Sequence, residues 1–246
     1  MGDLSTERLS YQNSLIALLE SLDSTASSGT TDITAVRLTL INLVKIKLDE
    51  LVPEGEGVKY DLETAPNVSD PLDLYINGLL DESATNLLQV APKHACPVTS
   101  SSNTATANAD GKTGYVKLPD DYLRLYSFKM TEWEREVSEP ITTSDLKYLW
   151  QSNIYVRGGV AKPVLAISRK YISDAVYRIF EYYSVNSAHT IDRFLYIAET
   201  AAENLDDILY PALTWICAGK ILQNIEKFEL STKAFEQAKL CYTNLK

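Results

Sequence analysis

Histidine occurs twice in these 246 residues, at His94 and His189, and cysteine three times, at Cys96, Cys217 and Cys241. Hydrolytic and metal chemistry needs histidine, cysteine or carboxylate groups gathered on rigid elements, so the supply for either is thin. Three widely spaced cysteines fit neither a disulfide framework nor a zinc site. Cys217 and Cys241 fall in apolar helical patterns and read as buried free thiols. No apolar run approaches the roughly 18–20 residues of a membrane span, so no membrane partner is expected. The first residues, Met1 to Ser5, lack a basic stretch leading into an apolar one; no secretory signal is visible, and folding in a cytoplasm is expected. Basic residues are outnumbered, 23 Lys and Arg against 33 Asp and Glu, for a net charge of −10. That balance opposes a protein that grips nucleic acid through its phosphates, though not one that lets DNA slide past.

The apolar pattern is helical at both ends of the chain. Over residues 5–22, Leu15, Leu18, Leu19 and Leu22 recur at helical spacing, and a Ser/Thr/Gly stretch over 24–31 interrupts them. A second helix is expected from about Asp32, with Ile33, Val36, Leu40, Leu43, Val44, Leu48 and Leu51 on one stripe, ended by Pro53, Gly55 and Gly57. A third starts at Ser69-Asp70-Pro71, a polar cap followed by a proline that strands no backbone donor, and stops at Pro92. Residues 98–114, almost wholly Ser, Thr, Asn, Ala, Asp and Gly, read as a mobile loop. The last 45 residues return to helix. Leu205, Ile208, Leu209, Ala212, Leu213, Ile216 and Cys217 are dense enough to require burial on most sides, and a closing helix carries Ala234, Phe235, Ala238, Cys241, Tyr242 and Leu245. Leu209, Trp215 and Ile216 are expected to be buried against Leu40, Leu43 and Val44.

Between these helices the pattern changes. Tyr122, Arg124, Tyr126, Phe128 and Met130 alternate with their neighbours, and β-branched and aromatic residues return over 164–168 and 176–185. A short helix is expected over Thr143 to Trp150 and a tight turn at Arg157-Gly158-Gly159. The expected fold class is α+β, mainly α: a helical bundle with a small antiparallel β-sheet insertion in the middle of the chain. The expected domains are an N-terminal helical region, 1–114, ending in the mobile loop; a β-rich insertion, 115–190; and a C-terminal helical pair, 191–246, packing on the N-terminal helices.

Candidate chemistry is sparse. His94 and Cys96 offer two metal ligands and leave the others unaccounted for. His189 has no serine elbow or orienting acid near it in a recognisable pattern, and a surface histidine is the plainer reading. Glu132, Glu134, Glu136 and Glu139 alternate around Trp133 and Val137, which suits a solvated face better than a carboxylate pair of a hydrolase. Asp120 and Asp121 after Leu118-Pro119 suit a turn. Gly158-Gly159 lacks the spaced glycines, lysine and following helix of a phosphate loop. No catalytic, cofactor-binding or metal residue is assigned, and no enzyme activity is expected. Tyrosine is plentiful, 15 against five Phe and three Trp; its apolar body and polar tip favour surfaces that are wet alone and dry in a complex.

One run goes beyond composition: Tyr115-Val116-Lys117-Leu118-Pro119-Asp120-Asp121-Tyr122-Leu123-Arg124-Leu125, then strands, then Tyr210-Pro211-Ala212-Leu213, Ala218 to Leu222, and Ala234 to Tyr242. The order of these segments, over roughly residues 115–245, resembles the adaptor family of short-tailed phages, the tail tubular A type, and related ring proteins of crAss-like phages. In that family an LP-x-D-[FY]-L-R segment opens a sheet insertion, and an apolar helix near a YPAL-like sequence leads into a closing helix with a late tyrosine. The resemblance implies a structural virion protein: a homo-oligomeric ring, commonly a dodecamer, beneath the portal protein, joining portal to tail or further ring proteins. Genomic DNA would pass through it without specific binding. It would reside in the connector of the virion after assembly in the host cytoplasm. No catalytic residue carries over. The two C-terminal helices also look like one tetratricopeptide-type unit, which would make the chain a helical protein-interaction module, although a solenoid needs about three such pairs. A hydrolase using the acidic residues is the third class.

Overall fold

A computed structural model describes residues 33–51, 71–183 and 185–245. The helix expected over 5–22, the 24–31 break, the Pro53 to Gly57 stop and the Ser69-Asp70 cap lie outside them. Five α-helices are described: α1 (Ile33–Leu51), α2 (Pro71–Val90), the short α3 (Leu146–Trp150), α4 (Tyr210–Asn224) and α5 (Phe228–Thr243). Eight strands accompany them: β1 (Thr99–Ser100), β2 (Ala105–Ala107), β3 (Gly114–Lys117), β4 (Tyr122–Met130), β5 (Ile141–Thr142), β6 (Leu165–Ile172), β7 (Ala175–Tyr182) and β8 (Ile191–Ala198). The chain divides into two compact units. One holds the described residues up to Ser83 with Ala201–Asn204 and Tyr210–Cys241; the other holds Ala84–Thr200, Leu205–Leu209 and the residues from Tyr242 onward.

The helical unit is built on the stripe the spacing predicts. Val36, Leu40, Ile41, Val44 and Leu48 are buried on α1, which packs against α4, and α4 is buried almost throughout from Ala212 to Leu222. Small residues let α5 approach. The Ser231 hydroxyl donates to the Gly219 carbonyl at 2.9 Å, and a Cβ on Gly219 would stand 2.9 Å from the Phe235 ring. Ile216 is buried as expected. Trp215, expected to be buried, is only half-buried, and its ring lies under the Lys47 ammonium at 4.8 Å from the centroid. Leu43 is likewise half-buried. Charged groups are paired in this unit: Lys45 with Asp73, both buried; Lys220 with Glu82 at 2.9 Å; and Arg37 with Asp81 at 2.9 Å and Glu203 at 2.6 Å.

The β unit corrects the expected fold class. Its strands form a three-stranded sheet in the order β1-β8-β4 and a five-stranded sheet in the order β2-β3-β7-β6-β5. The chain is therefore a mixed α and β protein, not a helical bundle carrying one small antiparallel insertion. Two misreadings account for the difference. Residues 98–114, expected to be a loop, contribute β1 and β2, each at a sheet edge. Such edge strands are held by main-chain hydrogen bonds to one neighbour and need no alternating apolar side chains, so periodicity misses them. The region assigned to C-terminal helix opens instead with β8, eight residues that pair antiparallel with β4. The five-stranded sheet is also not wholly antiparallel, since β5 runs parallel to β6.

Both sheets contribute to one aromatic core. Tyr122, Phe128, Trp133, Phe180, Phe194 and Tyr196 are all buried, with Phe128 edge-on to both Trp133 and Phe194 at centroid distances of 5.7 and 5.4 Å. Gly114 on β3 stands opposite Tyr182 on β7; a Cβ there would lie 2.1 Å from the Tyr182 hydroxyl and 2.4 Å from the Thr106 carbonyl. Only glycine permits that approach.

Candidate assembly surface

After β5 the chain makes α3 and a looped segment ending at Gly158, and within eleven residues six large apolar side chains face solvent. Leu146, Leu149 and Ile154 are each 65% exposed, Tyr155 90%, Val156 56% and Trp150 47%. Soluble chains scatter single apolar residues over their surfaces, whereas contiguous groups of this size mark interaction sites. With ordinary residue sizes these exposures amount to about 700 Å² of surface, close to the roughly 800 Å² that each partner gives to a standard interface.

The segment is held in place by its polar residues. Tyr148, the inward residue of α3, donates its hydroxyl to the Glu181 carboxylate on β7 at 3.1 Å. Glu181 also receives Tyr183 at 2.8 Å and Ser168 at 2.6 Å. Burial, followed by the Glu181 charge, pushes the Tyr148 phenol above its ordinary value, so it remains a donor at any physiological pH. Gln151 is buried and ties both ends of the loop: its amide donates to the Lys147 carbonyl at 2.7 Å and its carbonyl accepts Gly158 N–H at 2.9 Å. The Asn153 carbonyl accepts the amides of Val156 and Arg157, and its side chain accepts that of Tyr155. Gly159 and Lys162 exchange two 3.2 Å backbone bonds, so the tight turn spans 159–162, beyond the Arg157-Gly158-Gly159 position expected for it. The apolar groups are thus displayed on a hydrogen-bonded frame, and docking would cost little ordering entropy.

A second exposed apolar group sits at the tip of the β6–β7 hairpin. Tyr171 and Val176 are directly opposite each other and are 67% and 65% exposed. They share a sheet face with Leu165, Ile167, Phe180 and Tyr182, which line the aromatic core. On that face the Arg169–Arg178 pair separates the core-lining residues from the tip pair, which therefore stands alone at the end of the hairpin. The turn itself uses two residues, Ser173 and Asp174, with φ of 47° and 67°. This left-handed pair matches the twist of the flanking strands, and the Tyr171 hydroxyl donates to Asp174 at 3.1 Å to brace it.

The residues weighed for chemistry do not converge. His94 is exposed on a short 3₁₀ turn while the Cys96 thiol is buried and bonded to the Pro92 carbonyl. Among the described residues no group of three or more His, Cys, Asp or Glu could hold a metal. His189 is not a free surface residue: it is half-buried, with Nδ1 2.6 Å from the Tyr182 hydroxyl and Nε2 3.2 Å from the Gly111 carbonyl. Glu132 accepts the backbone amides of Asn186, Ser187 and Ala188, and these bonds hold its carboxyl down at about 2. Glu136 accepts from Ser127 at 2.6 Å and Arg193 at 3.2 Å. Each of these acids serves as a brace. Asp120 and Asp121 lie in the turn expected of them, closed by Tyr122 N–H to the Pro119 carbonyl at 3.2 Å. Cys217 is a buried free thiol, pushed up to about 12 by desolvation; Cys241 is free but only half-buried.

No protein-family model matches the chain, and no curated protein matches it.

Within the described residues, then, the feature with functional character is the 146–156 segment, which the sequence treats only as a short helix. Six of its eleven residues are large and apolar, and Leu146, Leu149, Trp150 and Ile154 fall at the spacing of one helix face, which reads equally well as a face bound for the core. Of the segments whose order carries the family resemblance, Tyr115 to Leu125 lies in the same unit, while Tyr210 to Leu213, Ala218 to Leu222 and most of Ala234 to Tyr242 lie in the helical one. Tyr115 to Lys117 belong to β3, Leu118-Pro119 and the two aspartates turn the chain, and Leu118, Tyr122 and Leu125 are buried.

Proposed function

We propose that this chain is a non-enzymatic structural subunit that assembles with copies of itself into a ring in the head-to-tail connector of a tailed-phage particle. The ring sits beneath the portal, joins it to the tail and surrounds the DNA passage. The observation that carries the reading is the 146–156 segment, a rigidly framed apolar surface large enough for one side of a subunit contact. Two sequence features support it. The ordered run from Tyr115 to Tyr242 resembles the short-tailed-phage adaptors, and the net charge of −10 suits a conduit from which a polyanion must slip freely.

Electron microscopy of the chain mixed with its portal tests this. Rings of many subunits seated on the portal are expected, with the free chain monomeric or weakly associated. A closed tetramer or smaller oligomer in the particle would refute it, because the resemblance implies a ring of many subunits, commonly twelve.

A further inference from the structure

The two exposed apolar groups of the β unit lie at opposite ends and on opposite faces of one rigid sheet. The 146–156 segment is tied to the end where Ala166 pairs with Glu181: β5 enters beside Ala166, Tyr148 bonds Glu181, and Arg157 reaches Asp110 in the β2–β3 turn at 3.9 Å. The Tyr171–Val176 pair lies at the other end, beside the turn. From the Ala166–Glu181 pair to the Ile172–Ala175 pair is six residues along each strand, about 20 Å. Glu181 and Ser168, which receive α3, belong to the face opposite that of Tyr171 and Val176. A surface at one end and face of a rigid body that docks on a different surface at the other end generates a head-to-tail series. Self-docking of one patch would instead close as a two-fold dimer.

We infer that the 146–156 segment of one copy receives the Tyr171–Val176 hairpin tip of the next copy, so that this pair of surfaces is the lateral contact of the assembly. The inference rests on the ring reading for the closure of the series and on the sheet geometry for the pairing. The occupant matches in chemistry and is small: with ordinary residue sizes its two side chains expose about 250 Å², so each single contact is weak. The tip carries one apolar pair between a polar turn and the Arg169–Arg178 pair, and the receiving segment offers two aromatic rings, Trp150 and Tyr155, flanked by Leu146, Leu149 and Ile154. Both sides are braced before they meet, by Asp174 beneath Tyr171 and by Glu181 and Gln151 beneath α3.

The test uses the full chain and two double variants of exposed residues, Trp150→Ser with Tyr155→Ser and Tyr171→Ser with Val176→Ser, each checked for an unchanged melting temperature. Sedimentation of the wild-type chain from about 10 µM to 1 mM should show mass rising with concentration, the range in which weak contacts populate. Each double variant alone should stay monomeric over that range, an association at least tenfold weaker. An equimolar mixture of the two should give one-to-one dimers and nothing larger, because each variant keeps the surface the other has lost. A wild-type chain that stays monomeric at about 1 mM would overturn the pairing, and so would a tip variant that associates like the wild type. Portal-seated rings that take up both variants as readily as the wild-type chain would also overturn it, while leaving the ring reading intact. Mixing behaviour as expected, with wild-type chains that never close on a portal, would sink the ring reading and leave the pairing.

Discussion

The Tyr148 hydroxyl on α3 is 3.1 Å from the Glu181 carboxylate on β7, and this bond sets how the most exposed apolar segment of the chain is presented. A five-residue helix has no stability of its own, since nucleation alone exceeds what its few backbone bonds return. Tyr148 and Gln151 supply the missing anchor. Tyr148→Phe removes one donor but leaves Glu181 with Tyr183 and Ser168, so the expected cost is about 0.5–1.5 kcal/mol of global stability. The local effect should be larger: amide exchange over residues 146–157 should speed up well beyond that of β6 and β7. Equal protection in the variant and the wild type would mean that packing alone holds α3.

Gly114 should tolerate no side chain. Gly114→Ala puts a methyl group 2.1 Å from the Tyr182 hydroxyl and 2.4 Å from a backbone carbonyl, and the second of these cannot swing away. Overpacking of this kind typically costs about 1–3 kcal/mol, and here it falls on the pairing of β2, β3 and β7. A melting temperature lower by several degrees is expected. Gly78→Ala is the control, since a Cβ there meets nothing within 4 Å; on α2 that change should be neutral or slightly stabilising.

Glu132 makes the β unit sensitive to acid. Its carboxyl is held at about 2, first by the Ala188 amide, then by that of Asn186 and, after a small opposing burial effect, by Ser187. In the unfolded chain it should titrate near about 4.3. The folded value is the lower one, so the contribution is fully present above the unfolded value and is lost as pH falls towards the folded value. Stability should therefore decline between about pH 5 and pH 2, and Glu132→Gln should flatten that decline while lowering the plateau at neutral pH. Urea midpoints measured across this range check it; parallel curves for the two proteins would assign the acid sensitivity elsewhere.

How far the sequence discloses this molecule depends on what holds each part. The α1 stripe of Val36, Leu40, Val44 and Leu48, the dense burial of α4 and the β4 strand are all fixed by side chains meeting a core, and periodicity reads them. The edge strands β1 and β2 are held by main-chain pairing, Thr99 to the distant Tyr196 and Ala105 to Val116 across a hairpin, and a Ser/Thr/Ala run without apolar alternation carries no sign of it. Glu132 illustrates the same limit for side chains. Its alternation with Glu134 and Glu136 suggests a solvated face, yet its partners are three backbone amides more than fifty residues away. The 146–156 segment reads only as a short helix, because the apolar spacing of a single chain does not distinguish residues bound for its own core from residues left at its surface.

The last prediction is that the free chain does not bind duplex DNA at ordinary salt. Binding to phosphates requires basic residues clustered on one face, with side chains free to displace counterions. The net charge of −10 opposes that, and several of the basic residues are engaged inward. Arg124 donates to the Leu88 and Ala91 carbonyls, satisfying the C-terminal end of α2. Arg178 donates to the Tyr122 carbonyl and lies over its ring at 5.3 Å. Arg37, Lys45 and Lys220 are paired with carboxylates. Taking Lys45 or Arg124 from its partners would strand a buried carboxylate or the carbonyls at the end of α2, so these two cannot be recruited to a DNA strand without loosening the fold. Anisotropy titration with a labelled duplex at about 0.15 M salt should show no binding at protein concentrations up to about 100 µM. Micromolar affinity that falls steeply with added salt would show that the exposed basic residues act together as a DNA-binding face, and would make the chain a DNA-handling protein instead of the wall of a conduit.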